Sequence, residues 1–265
     1  MAVAALVLLS GAPAAAAPLA FSVSGANPAA IQPTVDAFRA SIGALNANAP
    51  GSFGGGRREI NWDGVSDVFS APNSLPANFF NANSPRGAIL SGPGTGVAVS
   101  ATAASGTPVR FGNINATYTA EFQTFSPQRL FTSIGSNVYD VTFFIPGTPI
   151  HALVQAFGAI FTDVEIAGST KIEYFDANNL LLDIATVATG SAGGLSFAGL
   201  NYGSPAVSRV RVTAGNAALG SAQSGNDLVA VDDFIYGEPV PEPASFLALT
   251  MGLMGVAAVR RRPRG

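Results

Sequence analysis

Asp232 and Asp233 lie side by side in an otherwise uncharged run, Leu228 to Tyr236. In an extended strand, neighbouring side chains point to opposite faces. Leu228, Ala230, Phe234 and Tyr236 would then share a face with Asp232, and Val229, Val231 and Ile235 one with Asp233. Both faces are apolar, so one carboxylate is expected at the edge of a core. A carboxylate there must be paired, hydrogen-bonded or bound to metal. Calcium suits the composition, because it takes carboxylate and carbonyl oxygens and needs neither Cys nor His. Asp63 and Glu59, on an early strand, are the candidates to complete such a site with Asp233 and Asp232. The alternative is a set of carboxylates held by loop amides or paired with Arg57 or Arg58.

Asp163 and Glu165 form a second acidic pair. Glycoside hydrolysis needs one carboxyl as acid and another as base or nucleophile. Spacing of two residues puts both on one strand face, and nothing in the sequence sets their separation, so a structural or solvated role is the expectation. His151 follows Pro149-Ile150 and reads as a loop residue. No Gly-x-Ser-x-Gly nucleophile elbow accompanies it. Trp62 and five tyrosines, Tyr118, Tyr139, Tyr174, Tyr202 and Tyr236, offer faces on which a sugar ring could stack. Trp62 alternates with polar neighbours as a core residue would. The glycines between Gly51 and Gly56 lack the Gly-Lys-Ser/Thr ending of a phosphate loop.

Composition removes whole classes of function. The 265 residues include no Cys, which excludes disulfides, thiol nucleophiles and Cys-ligated zinc. His151 is the only histidine, so a multi-His metal site is excluded. A net charge of −3 and a single lysine, Lys171, speak against nucleic acid as a partner. Charge is also unevenly spread. Between residues 18 and 240, nine basic residues against fifteen acidic ones leave the body at −6. The 30 Gly and 18 Pro, with only 11% charged residues, argue against both a helical bundle and a solvated disordered chain.

The elements that must position these residues are mainly strands. One amphipathic helix is expected over Pro33 to Leu45, with Val35, Phe38, Ile42 and Leu45 on one face. Beyond the Gly-rich stretch the period becomes two: Ile60 and Trp62; Tyr118, Ala120 and Phe122; Tyr139, Val141, Phe143 and Ile145; Val210 and Val212. Ala152 to Phe161 is mostly apolar, as in a strand covered on both sides. Thr170 to Asp176 and Leu180 to Val187 flank Ala177-Asn178-Asn179, a tight-turn segment. The pattern predicts an all-β fold, a jelly-roll-like β-sandwich with one short N-terminal helix.

The ends read as addresses. Residues 1–17, MAVAALVLLSGAPAAAA, form an apolar run followed by small residues, the pattern of a secretory signal peptide. The absence of Lys or Arg before the run departs from that pattern. At the other end Pro241-Glu242-Pro243 precedes an uncharged apolar run, 244–259, and then Arg260, Arg261, Arg262 and Arg264. The run is short of the ~20 residues a bilayer-spanning helix needs, but is read as a membrane helix with its arginines on the cytoplasmic side. The expected organisation is a signal peptide at 1–17, a helix and Gly-rich linker at 18–56, a β-sandwich domain at 57–238 and a tail at 239–265.

The order Val240-Pro241-Glu242-Pro243, apolar helix, arginine cluster resembles the PEP-CTERM sorting signal of Gram-negative bacteria. That resemblance implies export, a membrane enzyme of the exosortase type as partner, cleavage near Pro241–Pro243, and delivery to the envelope or extracellular matrix. It implies an inner-membrane-anchored precursor before processing and an association with exopolysaccharide. Within the body, Val231-Asp232-Asp233-Phe234-Ile235-Tyr236 is similar to the last strand of lectin-like and carbohydrate-binding sandwiches. The expectation is therefore a non-enzymatic, polysaccharide-associated exported protein. A carboxylate-based glycan hydrolase or lyase and a purely structural matrix protein are the alternatives.

Overall fold

Residues 17–242 are described in a computed structural model. In chain order the elements are β1 (Leu19–Gly25), α1 (Pro28–Ile42), β2 (Arg57–Ile60), α2 (Phe79–Ala82), β3 (Ala88–Ser91), β4 (Gly96–Val99), α3 (Tyr118–Glu121), β5 (Phe131–Ile134) and β6 (Val138–Phe143). They continue with β7 (Ala152–Leu153), β8 (Ala156–Thr162), β9 (Lys171–Phe175), β10 (Leu181–Thr186), β11 (Leu195–Asn201), β12 (Arg209–Thr213), β13 (Ala230–Gly237) and β14 (Val240–Pro241). One sheet has the order β1-β11-β8-β13-β5-β4, with β2 also paired to β13. The second has the order β10-β9-β12-β6-β3, and β14 pairs with β7 apart from both.

The alternation seen in the sequence explains where the core lies. Tyr139, Val141 and Phe143 of β6 and Val210 and Val212 of β12 point from the second sheet toward the first. They meet Phe157, Ala159 and Phe161 of β8, Phe131 of β5 and Phe234 of β13 in one buried cluster. β8, β11 and β13 are buried along their whole length. Their other face is covered by α1 and by the segment around α3.

This corrects the expected architecture. The described residues form a mostly β, two-sheet structure with a few short helices, not a jelly-roll-like sandwich with one helix. The physical reason is the second apolar face of the larger sheet. Ile160, Leu195, Phe197 and Ile235 would be exposed in a simple two-layer sandwich, and here they are packed under Ile31, Val35, Phe38 and Ile42 of α1. Among the described residues no helix is long and apolar enough to cross a membrane. The transmembrane helix, and the inner-membrane-anchored precursor inferred from it, are therefore withdrawn. The run 244–259 on which both rested lies outside the described residues, as do residues 1–16 of the expected signal peptide.

The helix starts earlier than its apolar spacing suggests. Asn27 caps it, its Oδ1 accepting from the Ala30 N–H at 3.2 Å, and Pro28 occupies the first turn. Gly43, at φ 122°, ends it, so Leu45 falls outside and is 56% exposed. Phe38 fixes the docking. It lies over Gly158 of β8 and Gly199 of β11, which are cross-strand partners. A Cβ on Gly158 would stand 2.8 Å from the Phe38 ring, and one on Gly199 3.0 Å from it. Only glycine at both positions lets the ring this close to the sheet.

Tyr118 to Glu121 is helical where a strand was expected. Tyr118 and Phe122 are spaced to share a strand face and equally to meet across one helical turn. The helical choice brings their rings to 4.9 Å.

Candidate functional site

β13 breaks its own alternation at the acidic pair. Val231 pairs with Phe161 of β8, yet Phe234 pairs with Ala159, so β13 carries one residue more than its partner across this interval. Such a bulge re-aims the side chains around it. Before it, Val229 and Val231 face the core between the sheets; after it, Phe234 and Tyr236 do. Leu228 and Ala230 lie on the outer side before the bulge, and Ile235 lies there after it. The expected face assignment fails for that reason. Trp62 Nε1 donates to the Asp232 carbonyl at 2.5 Å and so satisfies the bulged backbone.

The two carboxylates converge instead of diverging. Asp232 Oδ2 accepts from the Phe125 N–H at 2.6 Å. Ser126 Oγ lies 2.7 Å from Asp233 Oδ1 and 3.2 Å from Asp232 Oδ1. Burial, reinforced by the neighbouring Asp233, pushes the Asp232 carboxyl well above the usual range. Burial raises Asp233 too, against the pull of Ser126 and Arg39.

Glu59 and Asp63 serve the same region differently. Glu59 accepts from Arg39 Nη2 at 2.9 Å and from Arg57 Nε at 2.6 Å. Arg39 Nη2 also lies 3.6 Å from Asp233 Oδ2. Asp63 Oδ1 accepts from the N–H groups of Gln128 and Arg129, at 2.5 and 3.1 Å. Asp232, Asp233 and Asp63 thus clasp one segment, Phe125–Arg129. This donor set does not fit calcium, which needs six or more converging oxygens. Glu59 is held by two guanidiniums, and Asp63 is turned to backbone amides. Among the described residues, no three His, Cys, Asp or Glu side chains are grouped to hold a metal ion. Of the expected pairings, Arg57 does reach Glu59, whereas Arg58 pairs with Glu238, out of this cluster.

The second acidic pair lies in a cleft of about 440 Å³. Asp163 and Glu165 line it with Glu121 of α3 and Gln223. Asp163 follows the end of β8 at φ 71°, and its Oδ1 accepts from the Gly193 N–H at 2.6 Å. Buried Asp227 holds the adjoining turn, accepting from the N–H groups of Glu165 and Ile166 at 3.0 and 3.3 Å. Burial pushes Asp163 up to about 6, and the charges of Glu165, Glu121 and Asp227 add to it. Such a carboxyl can hold and release a proton near neutrality.

The remaining expected groups are mostly structural. His151 is exposed, its ring 4.5 Å from that of Phe144. Trp62 is stacked on Phe131 at 4.5 Å in the core. Tyr118, Tyr139, Tyr174 and Tyr236 are buried, and Tyr202 is partly exposed. Sequence reasoning missed Ser126, Arg39, Glu121 and the Arg58–Glu238 pair. Arg58 and Glu238 are 180 positions apart, and no local pattern links them. Glu121 was hidden by reading α3 as a strand.

Residues 239–262 match the family model of the PEP-CTERM protein-sorting motif. No curated protein and no solved structure matches the chain. The motif begins directly after Glu238, and its residues Val240–Pro241 form β14 against β7. Pro241 and Glu242 are within the described residues; Pro243, Arg260, Arg261 and Arg262 are outside them. The chain is an exported protein bearing a PEP-CTERM sorting motif, as sorting by an exosortase-type membrane enzyme requires.

Proposed function

We propose that the chain is a non-enzymatic protein of the surface matrix, associated with extracellular polysaccharide. The observation that carries this reading is the sorting motif at residues 239–262, joined without a linker to the last long strand of the body. A folded domain delivered whole to the matrix is suited to binding what the matrix contains. The acidic pair on β13 supports a non-catalytic body, because both carboxylates are buried and occupied by Phe125, Ser126 and Arg39.

One observation favours a second reading, a carboxylate-based glycan hydrolase or lyase. Asp163, at about 6, shares an open cleft with Glu165 and Glu121. One protonated and one ionised carboxyl across a glycosidic bond is the arrangement that hydrolysis needs.

Incubating the exported chain with a polysaccharide panel separates the readings. Binding with no release of reducing ends is the expected result. Reducing-end release abolished by Asp163→Asn would replace the binding reading with the hydrolase. Neither binding nor release would leave a purely structural matrix protein.

A further inference from the structure

Arginine partners single out one place in the body. Every Lys or Arg between residues 17 and 242 pairs with a carboxylate, except Arg86 and Arg110. Arg110 gives Nη1 to the Phe122 carbonyl at 2.6 Å. Arg86 gives Nη1 to Ser84 Oγ, and its buried Nε has no partner among the described residues. In a body at −6, a guanidinium without a carboxylate is the exception.

Arg86 lines a cavity of about 290 Å³. Trp62, Phe79 and Phe80 form its apolar wall, and Asn61 and Asn83 stand exposed at its rim. The Arg86 guanidinium lies 5.3 Å from the Phe80 ring centroid. Neither rim amide makes a side-chain hydrogen bond to the described residues, so both are free to take hydroxyls. The volume falls just below the ~300–1,000 Å³ of ligand pockets, a size for one ring rather than a chain. Burial pushes the Arg86 guanidinium down, and neighbouring Arg58 adds to this. An incoming anion would relieve both effects.

We infer that this cavity binds a carboxylate-bearing sugar unit, a uronate residue of an extracellular polysaccharide, with Arg86 taking the carboxylate. Guanidinium matches a planar carboxylate bidentately. The apolar wall accepts the C–H face of the ring, and Asn61 and Asn83 take its hydroxyls. This deepens the polysaccharide reading and rests on it.

The test is calorimetric titration of the exported chain with oligosaccharides of galacturonate, mannuronate and glucuronate, and with their carboxyl-reduced, neutral counterparts. At least one acidic series should bind, with its neutral counterpart weaker by about tenfold or more. Arg86→Gln should weaken the acidic series by a similar factor, and Arg110→Gln should not. Asn83→Asp, on the exposed rim, should also weaken it by opposing the carboxylate, and it reads the site even if Arg86→Gln does not fold. Equal binding of acidic and neutral forms, or binding unchanged in Arg86→Gln and Asn83→Asp, overturns the uronate cavity and leaves polysaccharide association standing. Binding of no oligosaccharide to the wild-type chain overturns both.

Discussion

Arg58 and Arg86 lie close together and are treated in opposite ways. Arg58 is fully buried on β2, and its Nε and Nη2 hold Glu238 at 2.6 and 2.8 Å. Its remaining donors reach the carbonyls of Ala47, Ala49, Gly51 and Pro85. Glu238 in turn accepts from Asn46 Nδ2 and from the Phe53 N–H. Arg86 has no carboxylate: its Nη1 reaches only Ser84 Oγ, and its buried Nε has no acceptor among the described residues. A buried charge is tolerated when every donor is matched, and a charge left unmatched at a cavity is available to a ligand. The contrast separates the arginine that holds the fold from the one free for recognition.

The sharpest way to break the comparison is through Glu238. Glu238→Ala leaves Arg58 charged and buried without its carboxylate, which should cost about 3–5 kcal/mol of stability. Urea unfolding measures it. A loss below 1 kcal/mol would mean that the carbonyls around Arg58 suffice. The pair also closes the body immediately before the sorting motif, so the same variant should expose the 239–242 junction to added protease sooner than in the wild type.

A smaller loss is expected at the clasp on Phe125–Arg129. Ser126→Ala removes the hydroxyl between Asp232 and Asp233, for about 1–3 kcal/mol near neutral pH. Unchanged stability would show that the Phe125 N–H and Arg39 carry the pair alone.

The clasp also shows what a sequence can and cannot reveal. Val35, Phe38 and Ile42 on the face of α1, the β9–β10 hairpin around Asn178-Asn179 and the burial of β8 were legible from local periodicity, whereas Ile31 was missed and Leu45 falls beyond the helix. The residue types of β13 led to one carboxylate at the edge of a core, whereas Asp232 and Asp233 are both buried. Their direction was not legible, because an inserted residue reverses the alternation and leaves no mark in the residue types. The same limit hid the covered face of the larger sheet. Ile160 and Ile235 look alike whether a second sheet or a helix packs on them. Pairing between Arg58 and Glu238 depends on strand order, which short alternating runs do not encode. The PEP-CTERM motif was legible, because its residues are contiguous in the chain.

Asp163 should behave oppositely to Glu238. Its folded-state value, near 6, lies above the ordinary 3.8. The unfolded chain therefore loses this proton first, and the stability linked to Asp163 falls as pH rises from about 4 through 6. Asp163→Asn keeps an acceptor for the Gly193 N–H and suits the positive φ. Above pH 6 it should be more stable than the wild type, by about 1 kcal/mol once solvent screening in the open cleft is counted. Below pH 4 the two should melt together. A variant less stable at pH 7.5 would show that the ionised carboxylate is needed by the fold.

Arg86→Gln should have the smallest effect on folding, within about 1 kcal/mol, because no carboxylate partner is lost. The most direct test of the account is the change in melting temperature on adding a uronate oligosaccharide to wild type and to Arg86→Gln. A ligand that binds only the folded chain raises its melting temperature. A rise is expected in the wild type and not in Arg86→Gln, with the unliganded proteins melting alike. An equal rise in both would contradict it.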